Sequence, residues 1–74
     1  MKLKSFQQQQ SYFFKLIFEN DEVKMVNLST LIGSYVDEEN LGTARIDEEW
    51  GCLEFKNGMV DIEPKTLYRY CEKS

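Results

Sequence analysis

WGCLEFKNGMVDIEPKTLY, the stretch from Trp50 to Tyr68, decides the fold of this chain. Cys52 to Phe55 reads as a strand and Lys56-Asn57-Gly58 as a turn. An Asn-Gly pair is the strongest short hairpin signal, because both residues accept positive φ. Met59 to Ile62 returns as the second strand. Pro64 then stands where a helix begins, since its φ is already helical and its missing N–H has no partner in a first turn. Leu67, Tyr70 and Cys71 share one face of that helix, and Lys65 and Arg69 share another. Lys73 lies where a cation complements the negative helix end. Tyr68 and Tyr70 fall on different faces, so one is expected inside and the other outside.

Upstream of this stretch, Asp47-Glu48-Glu49-Trp50-Gly51 reads as a connecting turn. Thr43 to Asp47 reads as a strand with Ala44 and Ile46 on one face. Asp37 is a candidate cap for a short helical segment through Leu41, closed by Gly42. Ser29 or Thr30 can cap a helical turn that carries Leu31 and Ile32 and ends at Gly33. Ser11 to Phe18 alternates with period two, placing Tyr12, Phe14, Leu16 and Phe18 on one face. Glu19-Asn20-Asp21-Glu22 is a turn, and Val23 to Leu28 is the return strand of a hairpin. MKLKSFQQQQ, residues 1–10, is expected to be a flexible lead-in, and it lacks the apolar core of a secretory leader. The expected fold is α+β: one small two-layer domain over residues 1–74. It has an antiparallel or mixed sheet of about five strands in two hairpins, short helices on one face and a C-terminal helix.

A chain of 74 residues buries a small core, and its 14% aromatic content enlarges that core. Cys52 and Cys71 are not spaced as a metal knuckle, and the chain has no histidine. They read as reduced, partly buried thiols. No run reaches the ~20 apolar residues of a membrane span, so a cytoplasmic protein without membrane contact is expected. The net charge of −4 divides unevenly: +3 over residues 1–18, −9 over residues 19–63 and +2 over residues 64–74. An acidic middle disfavours direct nucleic-acid binding, which depends on clustered Lys and Arg. It suits a basic protein partner, or simply a solvated surface.

Asp47, Glu48 and Glu49 are consecutive, so their carboxylates diverge; a solvated turn explains them better than a metal or acid/base site. Asp61 stands three residues before Pro64. It could accept N–H groups of the helix start, pair with Arg45 or act as a general base; with no histidine to share proton transfer, the structural roles are favoured. Trp50 is a lid on the core or an exposed anchor. Lys65, Arg69 and Lys73 beside Tyr68 offer nucleic acid only a thin footing. No catalytic residue, metal ligand or cofactor is expected.

The order and spacing of several residues resemble the bacterial family catalogued as domain of unknown function 2442. They are Phe18-Glu19-Asn20-Asp21-Glu22-Val23, then Val26-Asn27-Leu28-Ser29, then Trp50, Gly51, Phe55, Asn57, Gly58, Asp61, Pro64, Leu67 and Tyr68. The resemblance covers roughly residues 12–70. Phe55 stands where the family has a second Trp, Asn27 where Asp is usual, and Leu41 where an aromatic is common; the first turn lacks a Gly. The resemblance implies a small stand-alone protein, or the front of a longer one, often encoded beside a small toxin. An antitoxin or adaptor role follows from it as an expectation, with no catalytic residue assigned.

Charge and resemblance together predict a non-enzymatic acidic domain that occludes a basic partner of toxin or nuclease type. Its expected contact residues are Glu19, Asp21, Glu22, Asp37, Glu38, Glu39, Asp47, Glu48 and Glu49, with Tyr35 or Trp50 as aromatic anchor. Gly51, Asn57, Gly58, Asp61, Pro64, Leu67 and Tyr68 are the structural motif. The alternative is a phage or mobile-element inhibitor that mimics nucleic-acid charge, of the anti-CRISPR or anti-restriction type. A homodimer through the edge of the N-terminal hairpin is a further expectation.

Overall fold

The structure is a computed structural model that describes residues 2–73, with only the backbone of Lys73. The expected role of the Lys73 charge lies outside the described residues. The chain forms β1 (Leu3–Gln10), β2 (Phe13–Phe18), β3 (Val23–Asn27), α1 (Ser29–Ile32), a 3-10 segment (Glu38–Thr43), β4 (Arg45–Ile46), β5 (Leu53–Phe55), β6 (Val60–Ile62) and α2 (Pro64–Lys73). This is the α+β architecture expected. Among the described residues the strands number six, in two antiparallel three-stranded sheets of order β1-β2-β3 and β4-β5-β6.

Residues 3–10 correct the expectation of a flexible lead-in. β1 pairs along the whole of β2, with Leu3 opposite Phe18, Phe6 opposite Leu16 and Gln8 opposite Phe14. Leu3 and Phe6 supply its inward side, and the glutamines stand in solvent. An edge strand needs little apolar side chain when its ladder and one face are provided by a neighbour. The register shifts near Leu3/Ser5 and Gln8/Gln10. Ser11, at φ 52, begins the turn into β2 in place of the strand expected there.

The hairpin β2–β3 has the expected faces. Phe14, Leu16, Phe18 and Val26 are buried, while Phe13, Val23 and Met25 are exposed on the far side. The expected caps do not form. No side chain caps α1 or the 3-10 segment, so Ser29, Thr30 and Asp37 are not caps. The Ser29 N–H donates instead to Asn27 Oδ1 at 2.9 Å, the short-range turn that an Asn favours. Gly42 lies within the 3-10 segment and does not close it.

One core joins the two sheets and both helices. β2 and β3 give it Phe14, Leu16, Phe18 and Val26; β5 gives Leu53 and Phe55; α2 gives Leu67. Phe14 meets Phe55 edge-on, with ring centres 6.1 Å apart and planes at 87°. Phe18 meets Tyr68 at 5.2 Å and 82°. Such pairs contribute about 0.5–1.5 kcal/mol beyond their buried area. Tyr68 and Tyr70 are both half-buried, which corrects the expectation of one inside and one outside. Each keeps its ring on apolar surface and its hydroxyl at the rim: Tyr68 reaches Glu22, and Tyr70 reaches the Asn27 carbonyl.

Candidate interaction surface

The surface is built where β6 runs into α2. Alternation along β6 turns Ile62 inward and Asp61 outward, and Glu63, two residues on, faces solvent as Asp61 does. Pro64 starts the helix immediately afterwards, so both carboxylates stand on one exposed corner. Open grooves flank this corner, and Asp61 and Glu63 line both.

The first groove, about 440 Å³, runs between α1 and β6. Its floor is Leu31, Ile32, Val60 and Ile62, and its rim carries Tyr35 and Met59. Tyr35 is 66% exposed and Met59 80%. No lysine or arginine lines it, so its only formal charges are the two carboxylates. Met59 owes its position to the β5–β6 turn, in which Lys56, Asn57 and Gly58 take φ of 56, 58 and 85° in succession. The Lys56 ammonium donates to the Tyr35 carbonyl at 3.3 Å.

The second groove, about 470 Å³, holds Trp50, Cys52 and Pro64 among Asp47, Asp61 and Glu63, with Lys2 and Lys65 also in its lining. Trp50 is 66% exposed, so it is not a lid on the core. The turn that presents it is closed by Asp47. Its carbonyl accepts from the Gly51 N–H at 2.6 Å, and its carboxylate accepts from the Glu49 N–H at 3.0 Å. Gly51 carries φ +73, which an L side chain rarely adopts, and its carbonyl accepts the Leu3 N–H at 3.2 Å. The Cys52 thiol is pushed up from its ordinary pKa, first by burial and then by the charges of Asp61, Asp47, Glu63 and Glu54. It stays protonated and unreactive at neutral pH.

The structure does not gather the expected acidic residues at one place. Glu19, Asp21 and Glu22 lie at the β2–β3 turn and are partly engaged within the chain. Asp21 pairs with Lys4 at 2.7 Å, and that hydrogen bond holds its pKa below the usual carboxylate value. Glu22 accepts the Tyr68 hydroxyl at 2.8 Å. That bond is the main cause that lowers its pKa; desolvation opposes it, and bonds from Lys24 and Asn20 add to the lowering. Lys24 also lies 5.1 Å from the centre of the Tyr68 ring. Asp37, Glu38 and Glu39 belong to the 3-10 region, where Glu38 accepts the Ser11 hydroxyl at 2.8 Å. Glu48 and Glu49 are exposed beside Trp50. Of the expected contact residues, Tyr35, Asp47 and Trp50 line the grooves.

Asp61 does not pair with Arg45. β5 lies between β4 and β6, so Arg45 faces and binds Glu54, at 2.5 Å. Among the described residues the Asp61 carboxylate makes no hydrogen bond or ion pair, so it caps nothing. Met59 and Glu63 were missed in the sequence, although a residue following Asn-Gly at a hairpin tip is poorly covered, and alternation from buried Ile62 points Glu63 out. Gly51, Asn57 and Gly58 take positive φ, as do Ser11, Asp21 and Lys56, and Leu67 is fully buried.

Among the described residues, no group of three or more His, Cys, Asp or Glu is arranged to hold a metal ion. Among the described residues no helix is long and apolar enough to cross a membrane. No curated protein and no solved structure matches the chain. A family described as protein of unknown function, DUF2442, matches from residue 5 to residue 73, the stretch that includes all but the first two residues of the sheets, α2 and the Asp61–Glu63 corner. By that match the chain belongs to the DUF2442 family.

Proposed function

We propose that this chain is a non-enzymatic, cytoplasmic protein-binding domain whose Asp61–Glu63 corner, with its two flanking grooves, takes a basic partner protein. One observation carries the reading. Tyr35, Trp50 and Met59, the most exposed large apolar side chains among the described residues, all line grooves that share the same two carboxylates. Large aromatics in partly desolvated settings are the usual anchors of protein interfaces, and a rim of one charge steers a partner of the other. An antitoxin or adaptor that occludes the basic surface of a toxin or nuclease is the role this arrangement supports best.

The test is capture from the native host, at low and at physiological ionic strength, by wild type and by two variants. Asp61→Lys with Glu63→Lys reverses the corner, and Trp50→Ala removes one anchor; all three side chains are exposed, so the fold survives these changes. A basic protein retained by wild type, released by salt and lost from both variants supports the reading. Equal retention by all three proteins would sink it.

A further inference from the structure

The first groove is also the open side of a sheet. In the order β4-β5-β6, β6 has a strand neighbour on one side only. Its other side faces the groove, whose lining also includes Leu31, Ile32 and Tyr35. A strand with one unpaired edge presents backbone N–H and C=O groups that an incoming strand can satisfy. The groove's roughly 440 Å³ falls within the range of pockets that hold ligands.

The pattern along β6 dictates what would fit. Side chains of paired strands share faces position by position. A residue opposite Val60 or Ile62 would therefore point toward the apolar floor formed with Leu31 and Ile32. A residue opposite Asp61 would point outward, beside a carboxylate with no partner of its own among the described residues. Glu63 repeats that outward carboxylate two positions on. The complement is apolar–basic–apolar in alternation. A helical occupant would instead present its apolar residues three and four apart and would leave the edge of β6 unpaired.

We propose that β6 is a strand-addition site that takes an extended segment with alternating apolar and basic residues, forming a fourth strand beside β6. Backbone bonds would give affinity, the floor would select the apolar positions, and Asp61 and Glu63 would select the basic ones. The inference rests on the proposed function for the charge of the partner, and adds the site and the mode.

The probe is a synthetic acetylated and amidated pentapeptide, Val-Arg-Val-Arg-Val, titrated into the ¹⁵N-labelled chain at low ionic strength. A second peptide has the same side chains with methylated backbone nitrogens. Expected are saturable amide shifts at residues 60–62 and 31–32, affinity that falls roughly 2- to 10-fold for each backbone bond removed by methylation, and weaker binding by Asp61→Asn. Equal affinity for the methylated peptide, or shifts confined to residues 47–52, would overturn strand addition while the basic-partner reading stands. No binding of either peptide would likewise overturn strand addition, while the basic-partner reading is decided by the capture experiment. The decisive comparison is made on the wild-type chain, so it does not depend on any variant folding.

Discussion

Replacing Gly51 by Ala should be among the most damaging small changes this chain can suffer. A Cβ there would lie 2.5 Å from Lys2 Cβ, 2.8 Å from its Cγ and 2.9 Å from its Cα. The obstacle is the root of a side chain whose backbone is held on both sides. The carbonyl of Lys2 accepts the Glu19 N–H, and the N–H of Leu3 donates to Gly51 itself. Two penalties combine. Holding an L residue at φ +73 costs about 1–2 kcal/mol, and forcing a methyl into filled space costs about 1–3 kcal/mol more, for about 2–5 kcal/mol in all. A domain of this size has about 4–11 kcal/mol of stability to lose. Gly58 and Gly42 separate the two effects. Gly58, at φ +85, would meet only Glu54 Oε2 at 3.5 Å and so carries the strain without the clash, whereas Gly42 has neither. Urea unfolding of the three Ala variants should rank Gly51 well above Gly58 and Gly58 above Gly42, the last within about 0.5 kcal/mol of wild type. The Gly51 variant should melt at least about 8 °C lower than wild type. Equal losses at Gly51 and Gly58 would refute the close approach of β1 to this turn.

Tyr68→Phe should return the Glu22 carboxyl toward its ordinary value in a ¹³C titration, because the tyrosine hydroxyl is the main cause of its depression. The linked stability has a definite sign. A depressed carboxyl stabilises the fold above its unfolded pKa, and that contribution disappears as pH falls through the folded value. The stability difference between wild type and Tyr68→Phe should therefore shrink on acidification from neutral pH to below the usual glutamate range. Phe14→Ala, at a fully buried position in contact with Phe6 and Phe55, should cost about 3–5 kcal/mol in urea unfolding. Cys52 should resist iodoacetamide in the folded chain and react at the rate of a free thiol in urea, since burial holds it protonated.

Much of the fold is legible because its signals are local. Alternation in Phe14, Leu16 and Phe18 marks a face, Asn57-Gly58 marks a turn, and Pro64 marks a helix start. β1 is illegible for the opposite reason: Gln7 to Gln10 carry no pattern, and only the ladder offered by β2 makes them a strand. The Arg45 partner depended on strand order. Glu54 and Asp61 are cross-strand neighbours, and which of them meets Arg45 is set by β5 lying in the middle. Exposed Trp50 and Tyr35 were visible as candidate anchors, but what unites them with Met59 is the meeting of α1, β6 and α2, elements that lie far apart in the chain. The acidic residues are visible in the sequence, but not that Lys4 and Tyr68 bind Asp21 and Glu22 within the chain.

The two backbone bonds made by Lys2 and Leu3 tie together turns that belong to different sheets. The Leu3 N–H holds the turn that carries Trp50, and the Lys2 carbonyl holds the turn that starts at Glu19. Peeling β1 from β2 therefore releases both turns in one step, and the amides of Leu3, Glu19 and Gly51 should exchange with solvent hydrogen as a single cooperative unit. An occupant that pins Trp50 slows that shared opening, so protection gained at Gly51 is passed to Glu19 on the other sheet.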